Sequence, residues 1–320
     1  MKKLLPILFA AAMFFSLLAG CSSNEEVSPV ELKKVGDFVS QPTDAPETLT
    51  LPQGMMGNGL KVAGLDNKNL SGEAANIPWA GETLDFYVTL YNANDYENKF
   101  TLFAIVDREQ VDFCVDGNPA AQSPYQVTMP PKSYTVVPVR IEADELPSGA
   151  AVHDLWFLCD GVNKVDMGDG TFKEFQNVNS AKLLLDSGDS EWFSELKSAL
   201  IPENGLAAQE MAGSFVSRTE INTLYDGVVR IREGRAEVKA EALGRNNGLA
   251  QTFLMVDYQA IPLTEDGDSV VWCEQTDREE SFEQTFDAAG MEGKEIFLLT
   301  LPVGRDGMPD VSERYVLTEQ

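Results

Sequence analysis

The sequence predicts an all-β protein built from two tandem antiparallel β-sandwiches joined by a short helical linker. Three observations support this fold class. Apolar residues alternate with polar ones over short segments, as in strands that bury one face. Turn-forming residues separate those segments at short intervals, which is typical of sandwiches. The second half of the chain repeats the order of segments found in the first half.

The composition limits which partners the protein can have. The chain of 320 residues carries 51 acidic and 24 basic residues, a formal net charge of −27. Its length corresponds to about two domains, and its hydrophobic fraction of 43% is enough for ordinary cores. Because acidic residues occur in every segment and repel phosphate, we expect no nucleic-acid partner. The single histidine, His153, excludes histidine-rich metal sites, and we interpret it as a surface residue rather than a catalytic base.

The N-terminal segment, 1–20, has the layout of a secretory signal peptide. Two lysines precede an apolar run over 4–18 that is too short to span a membrane comfortably. The run ends in a motif that resembles the lipobox of bacterial lipoproteins, Leu18-Ala19-Gly20-Cys21. The resemblance implies cleavage before Cys21 and lipidation of that residue. It also implies export and anchoring to the outer face of the cell membrane, or to the outer membrane of a Gram-negative envelope. An ordinary signal peptide with a chance cysteine is the alternative.

The remaining chain divides into four predicted segments. Residues 21–50 are rich in Ser, Pro, Glu and Asp, which predicts a flexible stalk. Residues 51–185 and 206–320 carry the strand patterns of the two sandwiches. Between them, in 186–205, Trp192, Leu196 and Leu200 have helical spacing, which predicts a linker with a short helix.

The strands of the first sandwich follow from local patterns. Alternation over 84–90 predicts a strand with one buried face, and the apolar run 100–106 is typical of a central strand. Pro138 within 134–141 indicates an edge strand or a bulge. The apolar segment 155–159 follows a turn at Pro147-Ser148-Gly149 and predicts the return strand.

The repeat aligns segments of the two halves in the same order. Residues 81–90 correspond to 234–243, and 103–107 correspond to 253–257. We predict a duplication that places Phe103 and Phe253 in equivalent central strands, each in its own core. The arrangement resembles the tandem immunoglobulin-like modules of bacterial exported proteins. That resemblance implies Ig-like sandwiches and carries no functional residues.

Three groups of residues are candidates for chemistry. Cys114 and Cys159 each close an apolar strand, so a disulfide is possible; the alternative is two free thiols, buried or half-buried. Trp79 precedes a strand and is a candidate exposed ligand contact. The densest run of oxygen ligands predicts a calcium site, with an Asp- and Asn-rich turn as the alternative: Asp160, Asn163, Asp166 and Asp169.

These observations favour a non-enzymatic binding, adhesion or envelope scaffold module. Its expected partners are the membrane, through Cys21, and an unknown envelope protein or polysaccharide. Recognition is expected in the loops 92–98, 116–125 and 160–170. No cofactor is expected other than calcium. The alternative is a carbohydrate-active hydrolase with paired carboxylates, but 51 acidic residues place some pair at that separation by chance.

Overall fold

The computed structural model describes residues 34–35, 38–40, 57–66, 68–70, 75–107, 109–115, 123–146, 152–168, 171–186, 216–221, 227–245, 248–261, 270–275, 279–302 and 308–320. All of them lie in one unit, Lys33–Gln320. The predicted signal peptide, Cys21 and the predicted linker helix lie outside the described residues. Among the residues that are described, no helix is long and apolar enough to cross a membrane.

The first half of the chain forms a sandwich of two sheets. Its strands are β1 (Lys34–Val35), β2 (Phe38–Ser40), β3 (Asn58–Gly64), β4 (Ala75–Pro78), β5 (Leu84–Asn92), β6 (Asn98–Val106), β7 (Glu109–Val111), β8 (Cys114–Val115), β9 (Tyr125–Met129), β10 (Ser133–Ile141), β11 (Val152–Asp166) and β12 (Phe172–Asp186). The first sheet has the order β1-β2-β10-β5-β3, with β8 also on β10. The second sheet has the order β4-β12-β11-β6-β7, with β9 also on β6.

The core of this sandwich comes from alternate residues of the facing strands, as the sequence predicts. The first sheet contributes Leu84, Phe86, Val88 and Leu90 from β5. The second sheet contributes Phe100, Leu102, Ala104 and Val106 from β6, and Leu155, Phe157 and Cys159 from β11. The period of two in side-chain direction explains this selection, because only every second residue of a strand faces the opposite sheet.

The second half of the chain forms a third sheet that folds over its own core. Its strands are β13 (Val216–Ile221), β14 (Val228–Arg232), β15 (Arg235–Arg245), β16 (Gly248–Val256), β17 (Gln259–Ala260), β18 (Val270–Gln275), β19 (Glu279–Asp287), β20 (Glu295–Pro302), β21 (Asp310–Val311) and β22 (Tyr315–Glu319). The order is β13-β15-β14-β22-β20-β16-β17, with β19 on β15, β18 on β16 and β21 on β20. Because β14 pairs with both β15 and β22, it joins the two layers.

Strand pairing repeats from one half to the other. The antiparallel pair of β5 and β10 corresponds to β15 and β19, and β6 with β11 corresponds to β16 with β20. The parallel pair of β4 and β12 corresponds to β14 and β22. Opposite partners also match in register, since Phe103 faces Leu158 and Phe253 faces Leu299. The protein is therefore all-β with two Ig-like sandwiches of common connectivity.

Two details of the first half differ from, or refine, the sequence-based prediction. Residues 34–35 and 38–40 belong to the first sheet rather than to the predicted stalk, because β1 pairs with β2, and β2 pairs in parallel with β10 at Ser133 and Tyr134. Pro138 lies in β10 between the stretches that pair with β2 and with β8. On that side of β10, Pro138 has no pairing partner among the described strands, so its missing N–H breaks no hydrogen bond there. This agrees with the predicted edge position.

The two sandwiches share a third apolar cluster, which the sequence analysis did not anticipate. It is formed by the outer face of β6 and β11 and by the corresponding face of β16 and β20. Its buried members are Phe103, Ile105, Trp156, Leu158, Phe253, Met255, Phe297, Leu299 and Leu301. We call this group the shared cluster. Phe103 and Phe253 do lie in equivalent strands, but the prediction that each sits in a separate core is wrong, because both belong to the shared cluster.

Replacement of Phe103 by alanine tests this arrangement. Phe103→Ala removes a fully buried ring from the shared cluster and should cost about 3–5 kcal/mol. Because the ring contacts the second half, with its centroid 5.8 Å from that of Tyr258, we expect calorimetry to resolve two transitions in place of one. Phe100→Ala is the matched control, since Phe100 lies in the same strand but faces the first core. Equal effects of both variants on one common transition would contradict the shared cluster.

Candidate functional site

Ionisable groups are buried along the outer face of β11, beside the shared cluster. Odd-numbered residues of this strand face the first core, and even-numbered residues face the second sandwich. The even positions carry Asp154, Trp156, Leu158 and Asp160, all nearly or fully buried. Two carboxylates thus flank two large apolar side chains, and burying a charge in this way requires a partner for it.

Lys182 neutralises the first of these carboxylates. Its Nζ lies 3.0 Å from Oδ2 of Asp154 and 4.6 Å from the centre of the Trp156 ring. The same ammonium donates a hydrogen bond to the carbonyl oxygen of Pro302 in the second sandwich, at 3.3 Å. Burial raises the pKa of Asp154 to about 6, although the nearby Lys182 lowers it. This ion pair therefore links the two halves of the chain.

Arg314 neutralises the second carboxylate. Its Nη2 lies 2.7 Å from Oδ2 of Asp160, and its Nη1 lies 3.1 Å from Oε2 of Glu295. The guanidinium stacks 3.9 Å from the ring centre of Phe297. The Tyr258 hydroxyl also donates to Asp160. Burial raises the pKa of Asp160, while Arg314 opposes that shift.

A glutamine adds neutral hydrogen bonds between the two halves. Gln110 accepts from the backbone N–H of Ala260 at 2.7 Å and donates to the carbonyl oxygen of Tyr258 at 2.8 Å. A side-chain amide that satisfies one donor and one acceptor of a neighbouring backbone fixes register as well as contact. With the two ion pairs, it surrounds the shared cluster with specific polar contacts.

An aspartate at the end of the central strand occurs in both halves. Asp107 follows β6 with φ of 54°, and Asp257 follows β16 with φ of 47°. The carboxylate of Asp107 accepts from the N–H of Asp154 at 2.8 Å, and that of Asp257 accepts from the N–H of Glu295 at 3.0 Å. In both cases the N–H of the aspartate donates to the carbonyl oxygen of the same partner residue. These contacts hold the turn after each central strand.

His153 occupies a buried position beside the first of these turns. Its Nδ1 lies 2.7 Å from Oδ2 of Asp107, and its side chain is 1% exposed. The interpretation of His153 as a surface residue is therefore wrong. As an odd-numbered residue of β11 it faces the sandwich interior, where the Trp79 ring packs edge-on against it at 5.0 Å.

The geometry disfavours a paired-carboxylate hydrolase at these buried acids. Asp154 and Asp160 lie on the same strand face six residues apart, which corresponds to about 20 Å. Glycosidases hold their two carboxyl groups within about 5–10 Å of each other. Each of the two aspartates is also bound by its own cation. Their role in this structure is to attach one sandwich to the other.

The hairpin of β11 and β12 projects beyond the second sheet. The two strands pair without a bulge from Val152 and Asp186 to Asp166 and Phe172. Pairing of β11 with β6 ends at Gly161, so the last five pairs form a two-stranded ribbon. At the usual rise per residue the ribbon extends about 17 Å. Its tip carries two exposed large apolar side chains, Met167 (57% exposed) and Phe172 (62% exposed).

Side chains from neighbouring loops hold the base of this ribbon. Asn98 donates to the carbonyl oxygen of Val162 at 2.7 Å and accepts from its N–H at 3.2 Å. The Tyr96 hydroxyl accepts from the N–H of Lys164 at 2.8 Å. Gly161 makes room for Asn58, since a Cβ there would lie 2.6 Å from the amide nitrogen of Asn58. The predicted recognition loop 92–98 therefore places its asparagine and tyrosine side chains in structural hydrogen bonds.

The predicted calcium ligands do not share one face of the structure. Asp160 and Asn163 differ by three positions in a continuous strand, so their side chains point to opposite sides. Asp160 is already bound to Arg314, which removes it from the predicted site. Asp169 and the side chain of Asp166 lie outside the described residues. Among the residues that are described, no three or more His, Cys, Asp or Glu side chains are arranged to hold a metal ion.

The remaining candidate residues are accounted for by packing. Trp79 is half-buried against the first core, and its Nε1 donates to the carbonyl oxygen of Glu82 at 2.7 Å. Its role as a ligand contact stays a prediction. Cys114 and Cys159 are both free thiols, so the predicted disulfide is not formed. Cys159 faces the first core, whereas Cys114 lies beside core-facing Val115 in β8 and therefore points away from it.

Sequence reasoning missed the residues that join the two halves, above all Arg314, Tyr258, Lys182 and Gln110. A usable signal was present in the central strands. Both 102–106 and 253–256 are apolar at consecutive positions, whereas a strand with one solvated face alternates. One strand in each half is thus apolar on both faces. This pattern indicates that the outer faces of the two strands pack against each other.

The buried Asp154 predicts a characteristic pH dependence. Its pKa is raised in the folded state from 3.8 to about 6, so the folded protein binds this proton more tightly than the unfolded chain. The free energy of unfolding of the wild type, relative to Asp154→Asn, should therefore rise by about 1 kcal/mol as the pH falls from 7 to 5. Lys182→Met should shift this window to higher pH, because Lys182 lowers the pKa. A difference that stays constant with pH, measured by urea denaturation, would contradict the raised pKa.

Comparisons with known proteins give fold-level likeness at most. No known protein family and no curated protein sequence matches this chain. A Salmonella enterica SafA pilin complex with the SafB chaperone is 11% identical, with 83% of this chain and 99% of that chain covered at a TM-score of 0.29. The E. coli chaperone DraB is 9% identical, with 82% of this chain and 98% of that chain covered at a TM-score of 0.26. Red sea bream transglutaminase is 9% identical, with 83% of this chain and 32% of that chain covered at a TM-score of 0.24. Likenesses this weak carry no argument about what this chain binds or catalyses.

Proposed function

We propose that this chain is an exported, lipid-anchored binding module without enzymatic activity, which presents the β11–β12 ribbon to an envelope protein. The observation that carries the proposal is the ribbon itself. It projects two exposed large apolar side chains from a body made of two sandwiches. Large apolar side chains on a projecting element are accessible to a partner protein, and their burial against it would stabilise the complex.

The body of the protein supports a scaffold role. The two halves are joined by the shared cluster, by the Arg314–Asp160 ion pair and by the hydrogen bond from Lys182 to Pro302, which oppose motion of one sandwich against the other. The buried carboxylates with raised pKa values are bound by cations of the chain itself. Perturbed ionisable groups can also mark catalytic sites, but here the ion pairs explain them.

The proposed anchor rests on the sequence. The motif ending at Cys21 would carry acyl chains on its thiol and amino group, and two or more chains are sufficient for stable membrane attachment. The charge of the protein supports a position away from the anionic lipid surface, because a net charge of −27 is repelled by it. The lipid would hold the module at the membrane, and the ribbon would face its partner.

Replacement of the lipidated cysteine tests the anchor. Cys21→Ser should transfer the protein from the membrane fraction to a soluble pool, since no thiol remains for acylation. Cys114→Ser is the matched control and should stay with the membrane, because Cys114 is a free thiol in the folded body. Fractionation followed by immunoblotting measures both. Retention of Cys21→Ser in the membrane fraction would refute lipid anchoring at this residue.

Replacement of the tip residues tests the binding role. The mature chain carrying Cys21→Ser is immobilised and exposed to envelope extract. Met167→Ser with Phe172→Ser should reduce capture of a specific envelope protein by at least about tenfold, because burying a large apolar side chain contributes about 1.5–3 kcal/mol.

A second exposed apolar residue provides the control for the tip experiment. Leu65 is 61% exposed, close to the 62% of Phe172, but lies in the turn after β3. Leu65→Ser should leave capture unchanged, and all variants should keep the melting temperature of the wild type. Capture that resists protease treatment of the extract would point to a polysaccharide and contradict the protein partner. Capture lost equally in both variants would contradict the assignment to the ribbon.

A further inference from the structure

Among the described residues, the outer edge of β12 is the longest strand edge of the second sheet without a pairing partner. On one side β12 pairs with β11 over its full length. On the other side β4 pairs only with Leu183–Asp186. No strand among the described residues pairs with the outer side of 172–181. Backbone N–H and C=O groups of alternate residues in this stretch therefore point outward, as they do on any unpaired edge.

The opposite edge of the ribbon is closed by side chains. The N–H and C=O of Val162 are bound by Asn98, and the N–H of Lys164 is bound by Tyr96. An incoming strand cannot pair there without displacing these contacts. Within the described part of the chain, the ribbon therefore has one blocked edge on β11 and one open edge on β12.

Apart from one lysine, Lys173, the open edge lacks the usual devices that prevent strand addition. Residues 172–181 contain no proline or glycine, and the ladder with β11 has no bulge. The charged side chains Lys164 and Glu174 neutralise each other at 2.6 Å. By contrast, β19 pairs only with β15 among the described strands, and its sequence has an acidic composition that disfavours strand addition, with Glu279, Glu280, Glu283 and Asp287.

We propose that 172–181 accepts an extended, net-positive segment of a partner protein as an added β-strand. This inference rests on the proposed binding function and specifies how the ribbon binds. Main-chain hydrogen bonds along the edge would supply affinity, and contacts with Phe172 and Met167 would add specificity. The positive charge follows from electrostatics: a net charge of −27 attracts a cationic segment and repels a second copy of this chain.

Synthetic peptides provide the test, with the mature chain carrying Cys21→Ser as the protein. The first peptide alternates lysine and valine. The second has the same sequence but is N-methylated at successive central residues, which removes the N–H donors of both its edges. The third alternates glutamate and valine. We expect the first peptide to slow hydrogen exchange of the 172–181 amides, and the other two to bind at least about tenfold more weakly, because they lose backbone hydrogen bonds or charge attraction.

Two proline variants locate the edge on the protein. Val162 directs its N–H and C=O away from β12, so its ladder partner Gln176 directs its own backbone groups to the open edge, whereas Asn177 directs its groups to β11. Gln176→Pro should therefore lose binding of the lysine–valine peptide and keep the wild-type melting temperature, whereas Asn177→Pro should lower the melting temperature. Unimpaired peptide binding by Gln176→Pro would overturn the proposal.

Other outcomes would also overturn strand addition. These are equal binding of the N-methylated peptide, exchange protection at β19 instead of β12, absence of any binding, or pairing of two copies of the chain through this edge. The proposed function has a separate criterion. If tip variants lose capture of an envelope protein while no peptide binds the edge, the ribbon is a binding site and strand addition is wrong.

Discussion

Burial of the second sheet on both faces is the constraint on which the rest of the structure depends. One face forms the first core, and the other forms the shared cluster with the second sandwich. Large rings such as Phe103 and Trp156 would contact water if the halves were separate. Because burying such side chains contributes several kcal/mol, the face-to-face contact is part of the fold rather than a loose contact between domains.

The buried charges follow from this contact. Asp154 and Asp160 lie on the covered face, so each needs a cation to offset its loss of hydration. Lys182 and Arg314 meet this need. Lys182 also donates to Pro302 of the second half, and Arg314, which belongs to the second half, binds Asp160 of the first. Groups that resemble a reactive site by their burial and raised pKa values are thereby explained as connections between sandwiches.

The same strands that form the contact also create the ribbon. Strand β20 ends at Pro302, whereas its counterpart β11 continues to Asp166, well past its last pair with β6. The extra length has no role in either core. It is held in place by Asn58, Tyr96 and Asn98, side chains whose hydrogen bonds would be unnecessary for a short hairpin. The ribbon is thus supported by hydrogen bonds and has exposed apolar residues at its tip, which favours a role in binding a partner rather than in stabilising the fold.

The sequence by itself determined the all-β class, the faces of strands such as 84–90 and the repeat of connectivity, because these depend on periodicity and turn residues close along the chain. The motif at Cys21 that resembles a lipobox is likewise local. Only the tertiary structure decided that Phe103 meets the second sandwich, that Arg314 binds Asp160 across 154 positions, and that His153 is buried. The physical reason is that a strand pattern shows which face is apolar but does not show what covers that face.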